Sequence, residues 1–133
     1  MKKLPVSEAD IRRAAVTTLE CERADSALLS IAFVGTTAMK KLNSKYLQKR
    51  SVTDVISFAF QNPSGGSATL GDIYICPEVA RANAKRQKLS AKEEVLRLVV
   101  HGVLHVLGRD HPEGDSRISS AMWRRQEEIV AAL

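Results

Sequence analysis

Histidine and cysteine are both scarce in this 133-residue chain, with three of the first and two of the second. The thiols, Cys21 and Cys76, stand far apart in sequence. They could form one bridge, but two buried thiols in a reduced, cytosolic setting is the preferred reading. No apolar run approaches the length of a membrane span. The opening stretch MKKLPVSEADIRR has the basic residues of a signal peptide but no apolar segment behind them. That argues against secretion and for a cytoplasmic location. Repeats and domain boundaries are also missing, so residues 1–133 are expected to form one domain with room for a real core.

Hydrophobic residues make up 44% and charged residues 26%, the profile of a soluble globular chain. Ser7 can cap a first helix through about Glu22, with Glu8 and Asp10 in its first turn and Ile11, Ala14, Ala15, Thr18 and Leu19 on one face. Leu28 to Val34 reads as a strand apolar on both faces, and therefore internal. A second helix is expected from Thr36 to about Tyr46, with Met39 and Leu42 inward. Val55 to Phe60 and Leu70 to Cys76 read as strands. QNPSGGSAT, between them, is a turn-rich loop. Pro77 can open a third helix. The last, from about Gly114 to Ala132, turns Ile118, Met122 and Ile129 inward. The sum is an α+β domain: a small mixed sheet of three clear strands packed by about five helices.

The remaining helix carries the chemistry. All three histidines fall within HGVLHVLGRDH, at His101, His105 and His111. On a helix, residues four apart sit about 40° apart on one face, so His101 and His105 can grip one ion. Gly108 can end the helix in a left-handed conformation and turn the chain, bringing His111 back as a third ligand. Three neutral imidazoles with an open position describe a catalytic zinc site better than a closed structural one. The segment from Ser90 is apolar nearly all round, so this helix should be buried. Its polar interruption is the stripe Glu93–Arg97–His101–His105, with Glu94 beside it. Two core histidines need partners, and a metal supplies them. Ser90 with Glu93 reads as a capping box at the helix start.

The spacing HxxxHxxGxxH is that of the extended zinc-protease motif, which requires Glu after the first His. Gly102 stands there instead, so peptide hydrolysis by the usual route is disfavoured. The net charge of +5 points weakly to a polyanionic partner. Basic residues cluster at Lys40, Lys41, Lys45, Lys49 and Arg50, at Arg81, Lys85, Arg86 and Lys88, and at Arg124 and Arg125. Any one cluster can be a solvated helix face. Together with a hydrolytic metal, they favour a phosphodiester substrate.

LNSKYLQKRSVTDVISFAF, LGDIYIC and VVHGVLHVLGRDH, in this order and with these gaps, resemble the YbeY family of rRNA maturation factors. The resemblance implies a zincin-like metal-binding helix holding one Zn²⁺ per chain. His101, His105 and His111 would be its ligands, matching the family's HGxLHLxGYDH. It further implies a zinc-dependent, single-strand-directed endoribonuclease in small-subunit rRNA maturation and ribosome quality control. Partners would be ribosomal RNA and the small ribosomal subunit, with ribosomal-protein or assembly-GTPase contacts and no membrane. The departures from the family are specific. Leu47 stands where the family usually has Arg, so that Lys49 or Arg50 would have to reach the same place to serve for it. Arg109 replaces a usual Tyr. Family members generally carry a strand before the first helix, whereas Ser7 already opens a helix here, so the sheet is expected to be one strand smaller with an exposed or recovered edge.

Three imidazoles on zinc bring a bound water to a pKa of about 7, suited to direct attack on a phosphodiester or to deprotonation of a ribose 2′-hydroxyl. Asp54 and Asp110 are the candidate bases; each has a competing structural role, Asp54 in its turn and Asp110 in orienting a ligand histidine. Lys49, Arg50, Arg97 and Arg109 are the candidate RNA contacts. Ser57 and Tyr74 could face the cleft, though packing suits them better. Two other readings stand beside the nuclease: a non-catalytic assembly factor, favoured by Leu47, and a metallopeptidase, disfavoured by Gly102.

Overall fold

The third strand is the centre of the molecule. A computed structural model describes residues 4–24, 26–47, 53–60, 68–108 and 121–133. Within them lie α1 (Glu8–Cys21), β1 (Ala27–Phe33), α2 (Thr36–Leu42), β2 (Val55–Phe60), β3 (Thr69–Ile75), α3 (Pro77–Gln87), α4 (Ala91–Val106) and α5 (Ala121–Ala131). The sheet order is β1-β3-β2. β1 lies parallel to β3 with Leu28 opposite Leu70, and β2 lies antiparallel to β3 with Phe60 opposite Leu70. The α+β class with a three-stranded mixed sheet and five helices is as expected.

β1 is not internal. It pairs with β3 alone among the described strands, and Leu28 is 74% exposed. Apolar residues on both faces gave the wrong position because exposed aliphatics are common on real surfaces. The internal strand is β3, whose Ile73 and Ile75 are fully buried.

Both faces of the sheet carry helices, but the second is covered only in part, since Leu28 and Phe60 stay exposed on it. On one, α4 carries Val95, Val99, Val100, Val103 and Leu104 into a core shared with Ile73, Ile75, Ala14 of α1, Ala80 of α3 and Met122 and Ile129 of α5. On the other, Met39 of α2 packs with Ile56 and Cys76, flanked by Leu42, Phe58 and Tyr74. Two glycines bring α4 unusually close to the sheet. A Cβ on Gly102 would lie 2.7 Å from the Ile73 side chain, and one on Gly71 would lie 2.4 Å from that of Val106. Side chains there would force the layers apart, at a cost of about 1–3 kcal/mol for such overpacking.

Helix ends follow local chemistry, with some changes of detail. Ser7 and Asp10 form a reciprocal capping box, the Ser7 hydroxyl accepting from the Asp10 N–H at 3.1 Å and the Asp10 carboxylate accepting from the Ser7 N–H at 3.2 Å. Ser90 forms only half of one: its hydroxyl accepts from the Glu93 N–H at 3.0 Å, while the Glu93 carboxylate lies 3.5 Å from Arg97. The charged guanidinium is the stronger partner for that carboxylate. α2 is shorter than its pattern suggested. It ends at Leu42 and continues as a π-helical turn, Asn43–Leu47, with Asn43 fully buried. Of the expected final helix, Ala121–Ala131 is observed, with Met122 and Ile129 inward; Ile118 lies outside the described residues. Cys76 is buried as expected but Cys21 is exposed, and both are free thiols. Cys21 closes α1, where its carbonyl accepts from Arg125 Nη2 at 2.7 Å. No helix among the described residues is long and apolar enough to cross a membrane.

Candidate metal centre

α4 is buried on most of its circumference, and that burial fixes the two histidines it carries. His101 is buried and His105 half-buried, with ring centroids 4.8 Å apart and planes tilted by 59°. The i, i+4 spacing therefore brings two imidazoles together on one face, as the sequence indicated. The helix ends just beyond them. The Gly108 N–H donates to the His105 carbonyl at 2.9 Å, and Gly108 has a φ of +92°, the left-handed conformation expected there. His111, the expected third ligand, lies outside the described residues, as do Arg109, Asp110, Lys49 and Arg50. Among the described residues no group of three metal-ligating side chains forms.

One residue that sequence reasoning missed decides the chemistry of His101. Gln126 of α5 is buried, and its Oε1 sits 2.7 Å from His101 Nδ1. Its Nε2 donates to the Glu127 carboxylate at 3.1 Å. A carboxylate only accepts, so the Gln126 amide must turn its nitrogen toward Glu127 and its oxygen toward the imidazole. His101 Nδ1 must then carry the proton, and in the neutral ring Nε2 bears the lone pair. An imidazole whose second nitrogen donates to a fixed acceptor is oriented and made more basic, as ligating histidines usually are. The donor set described so far fits a metal that takes nitrogen ligands. The signal was present in the sequence: Met122, Gln126 and Ile129 share one helical stripe, and Gln126 is its one polar member.

The acceptors are held in turn. Arg97 donates through Nε and Nη2 to the two oxygens of Glu127, both at 2.8 Å, a bidentate pair. Arg97 also lies 3.5 Å from Glu93 and 3.6 Å from Glu94. Burial pushes the Glu127 carboxyl up, but hydrogen bonds from Arg97 and Gln126 bring it net below its usual value of 4.5. Glu94, nearly fully buried, is held above that value, chiefly by desolvation. The side chain of Arg97, a candidate RNA contact, is only 14% exposed and its charge is offset by three carboxylates. Arg125, from another basic cluster, is likewise engaged by Glu22 at 2.8 Å and Glu128 at 3.2 Å.

Asp54 immediately precedes β2, where its carbonyl accepts from the Cys76 N–H at 2.9 Å and its carboxylate accepts from Asn83 of α3 at 3.1 Å. It lies near enough to Glu94 to raise that carboxyl. Glu94 and His101 are seven residues apart on α4, or about 10 Å along the axis. This placement suits the turn-stabilising role of Asp54 over that of a base beside the histidines. Tyr74 packs against Phe58, at 6.2 Å between ring centroids, on the sheet face opposite α4. Ser57, opposite Ile73 in the sheet, is half-buried. Gly102 faces Ile73, so its position points into the sheet. A protease-type glutamate there would meet β3 rather than the metal side of the helix.

A family model described as Endoribonuclease YbeY matches residues 2–133. The chain is 40% identical over 107 residues to an Endoribonuclease YbeY of Thermodesulfovibrio yellowstonii, covering 80% of this chain and 67% of that one. It is 35% identical over 114 residues to one of Aquifex aeolicus, covering 86% and 76%. A third, from Beutenbergia cavernae, is 41% identical over 94 residues, and 63% of its length is covered. The chain thus spans about two thirds of the length of the curated relatives it matches. The solution structure of TM1509 from Thermotoga maritima superposes with a TM-score of 0.60 at 25% identity, covering 94% of this chain and 82% of that one.

Proposed function

The chain belongs to the YbeY family, and from that premise we propose that it is a zinc-dependent endoribonuclease that cuts single-stranded RNA. Its proposed setting is small-subunit rRNA maturation and ribosome quality control in the cytoplasm, with ribosomal RNA and the small subunit as partners. The observation that carries the metal-dependent reading is the His101–His105 pair, with the His101 tautomer fixed by Gln126. His111 is proposed as the third ligand, Arg109 as an RNA contact and Asp110 as a candidate base. Zinc held there supplies Lewis acidity, activating water near neutral pH and offsetting charge on phosphate oxygens. The protein's own contribution is positional. Gln126 holds His101 with Nε2 presented, Glu127 holds Gln126 and is itself held by Arg97, and α4 packs closely on β3.

The experiment compares cleavage of a ribosomal RNA fragment and of an unstructured protein by chelated, zinc-reconstituted and His105→Ala preparations. RNA cutting that needs zinc and disappears in His105→Ala is the expected result. RNA binding without cutting in any state would replace it with a non-catalytic assembly role, and protein cutting alone would overturn it.

A further inference from the structure

We infer that the sheet face opposite α4 is a stacking platform for the bases of single-stranded RNA, built from Tyr46 and Phe60 and edged by lysines. The inference rests on the RNA substrate proposed above and names a surface away from the histidines that would hold it. The chain has only six aromatic residues, and Tyr46, Phe58, Phe60 and Tyr74 come together here. Phe58 and Phe60 alternate along β2 and so share a face, about 6.8 Å apart along the strand. Tyr46, on the π-helical turn, meets Phe58 edge to face at 5.1 Å, and Phe58 meets Tyr74 at 6.2 Å. Phe58 and Tyr74 pack against the small core beneath α2. They act as the rigid base of the platform, while Tyr46 and Phe60 are 52% and 51% exposed. Exposed rings on a fixed base offer large apolar contact with little entropy to lose.

Charge selects the occupant. Residues 36–47 carry Lys40, Lys41 and Lys45, all exposed, and no acidic residue. Lys45 Nζ lies 5.1 Å from the Tyr46 ring centroid. A basic edge beside open aromatic rings is the combination that binds single strands, with lysines on phosphates and rings under bases. Asp72 is the one acidic group in the sheet rows concerned, opposite Phe58 and Ser30. It disfavours a phosphate at that point but can accept from an exocyclic base amine. A protein partner would have no use for unstacked bases, and this provides the test.

Binding of a labelled 12-nucleotide 2′-O-methyl RNA is measured by anisotropy, beside the same strand with its central bases removed. The unaltered protein should bind the abasic strand about tenfold more weakly. Phe60→Ala and Tyr46→Ala should each lose about tenfold on the intact strand and little on the abasic one. Phe60→Trp should bind as the parent does, and Leu28→Ala, in the same sheet row but without a ring, should change nothing. Equal affinity of the unaltered protein for intact and abasic strands would overturn the inference without any variant. So would Tyr46→Ala and Phe60→Ala both binding the intact strand within twofold of the parent. Base-dependent binding without zinc-dependent cutting would remove the nuclease reading and leave the platform. Cutting without base-dependent binding would do the reverse.

Discussion

Replacing Gln126 with Leu tests whether the second nitrogen of His101 is set by this one amide. Leucine keeps the side-chain volume roughly constant, so the change is almost purely one of hydrogen bonding. It removes the acceptor 2.7 Å from His101 Nδ1 and the donor 3.1 Å from Glu127. A buried donor left without a partner costs about 1–3 kcal/mol. The apo protein should therefore lose ~2 kcal/mol, roughly 6–10 °C in melting temperature for a chain of this size. His101, as a proposed ligand, should lose about 10- to 100-fold in metal affinity once released from its orienting partner. Calorimetry on the chelated protein gives the first quantity, and competition for zinc against a chromophoric chelator gives the second. Trp123, the single tryptophan and a neighbour of Gln126 on α5, provides an optical readout of the same helix. Zinc affinity within twofold of the parent, with the melting temperature lowered, would reduce Gln126 to packing and refute the tautomer argument. No change in either quantity would mean that the hydrogen bond does not form.

Other consequences can be measured directly. Gly102→Ala should destabilise the protein by about 1–3 kcal/mol despite alanine's higher helix propensity, since the new methyl would meet Ile73. The double variant with Ile73→Ala should recover part of that loss in a denaturant cycle, whereas strict additivity would mean that the contact does not govern the cost. Arg97→Met should cost roughly 3 kcal/mol, because the nearly fully buried Glu94 and the half-buried Glu127 would be left without their cation. RNA affinity and its salt dependence should be unchanged; a shallower salt slope would make Arg97 a phosphate contact after all. The raised carboxyl of Glu94 gives a pH effect of defined sign. Its stabilising contribution is complete below the unfolded value of 4.5 and is lost as pH rises through the higher folded value. Glu94→Gln should therefore gain on the parent as pH rises from about 4 to about 8, and a pH-independent difference in melting temperature would contradict the burial argument. With zinc held as proposed, removing it should lower the melting temperature and loosen α5, because Gln126 couples that helix to His101. Hydrogen exchange across α5, with and without chelator, is the check.

Local rules in the sequence determined a good deal. The order of helices and strands, the capping serines, the left-handed Gly108 and the inward faces of α1 and α5 all follow from interactions within a few residues. The His101–His105 pair belongs with these, since two residues four apart on a buried helix can only be neighbours. Tertiary structure decided which strand was central, because apolar composition does not distinguish an edge from an interior position: Leu28 lies exposed on β1, while β3, with a glycine in its middle, is buried. Only packing across elements, linking positions about thirty residues apart, could give Arg97 to Glu127 or Asp54 to Asn83. The same holds for Gln126. Its place on the α5 stripe was legible, but that its oxygen meets His101 depends on how two helices cross above one sheet. Spacing along a helix can bring two imidazoles together, but which nitrogen of His101 carries the proton is set by a side chain from elsewhere in the chain.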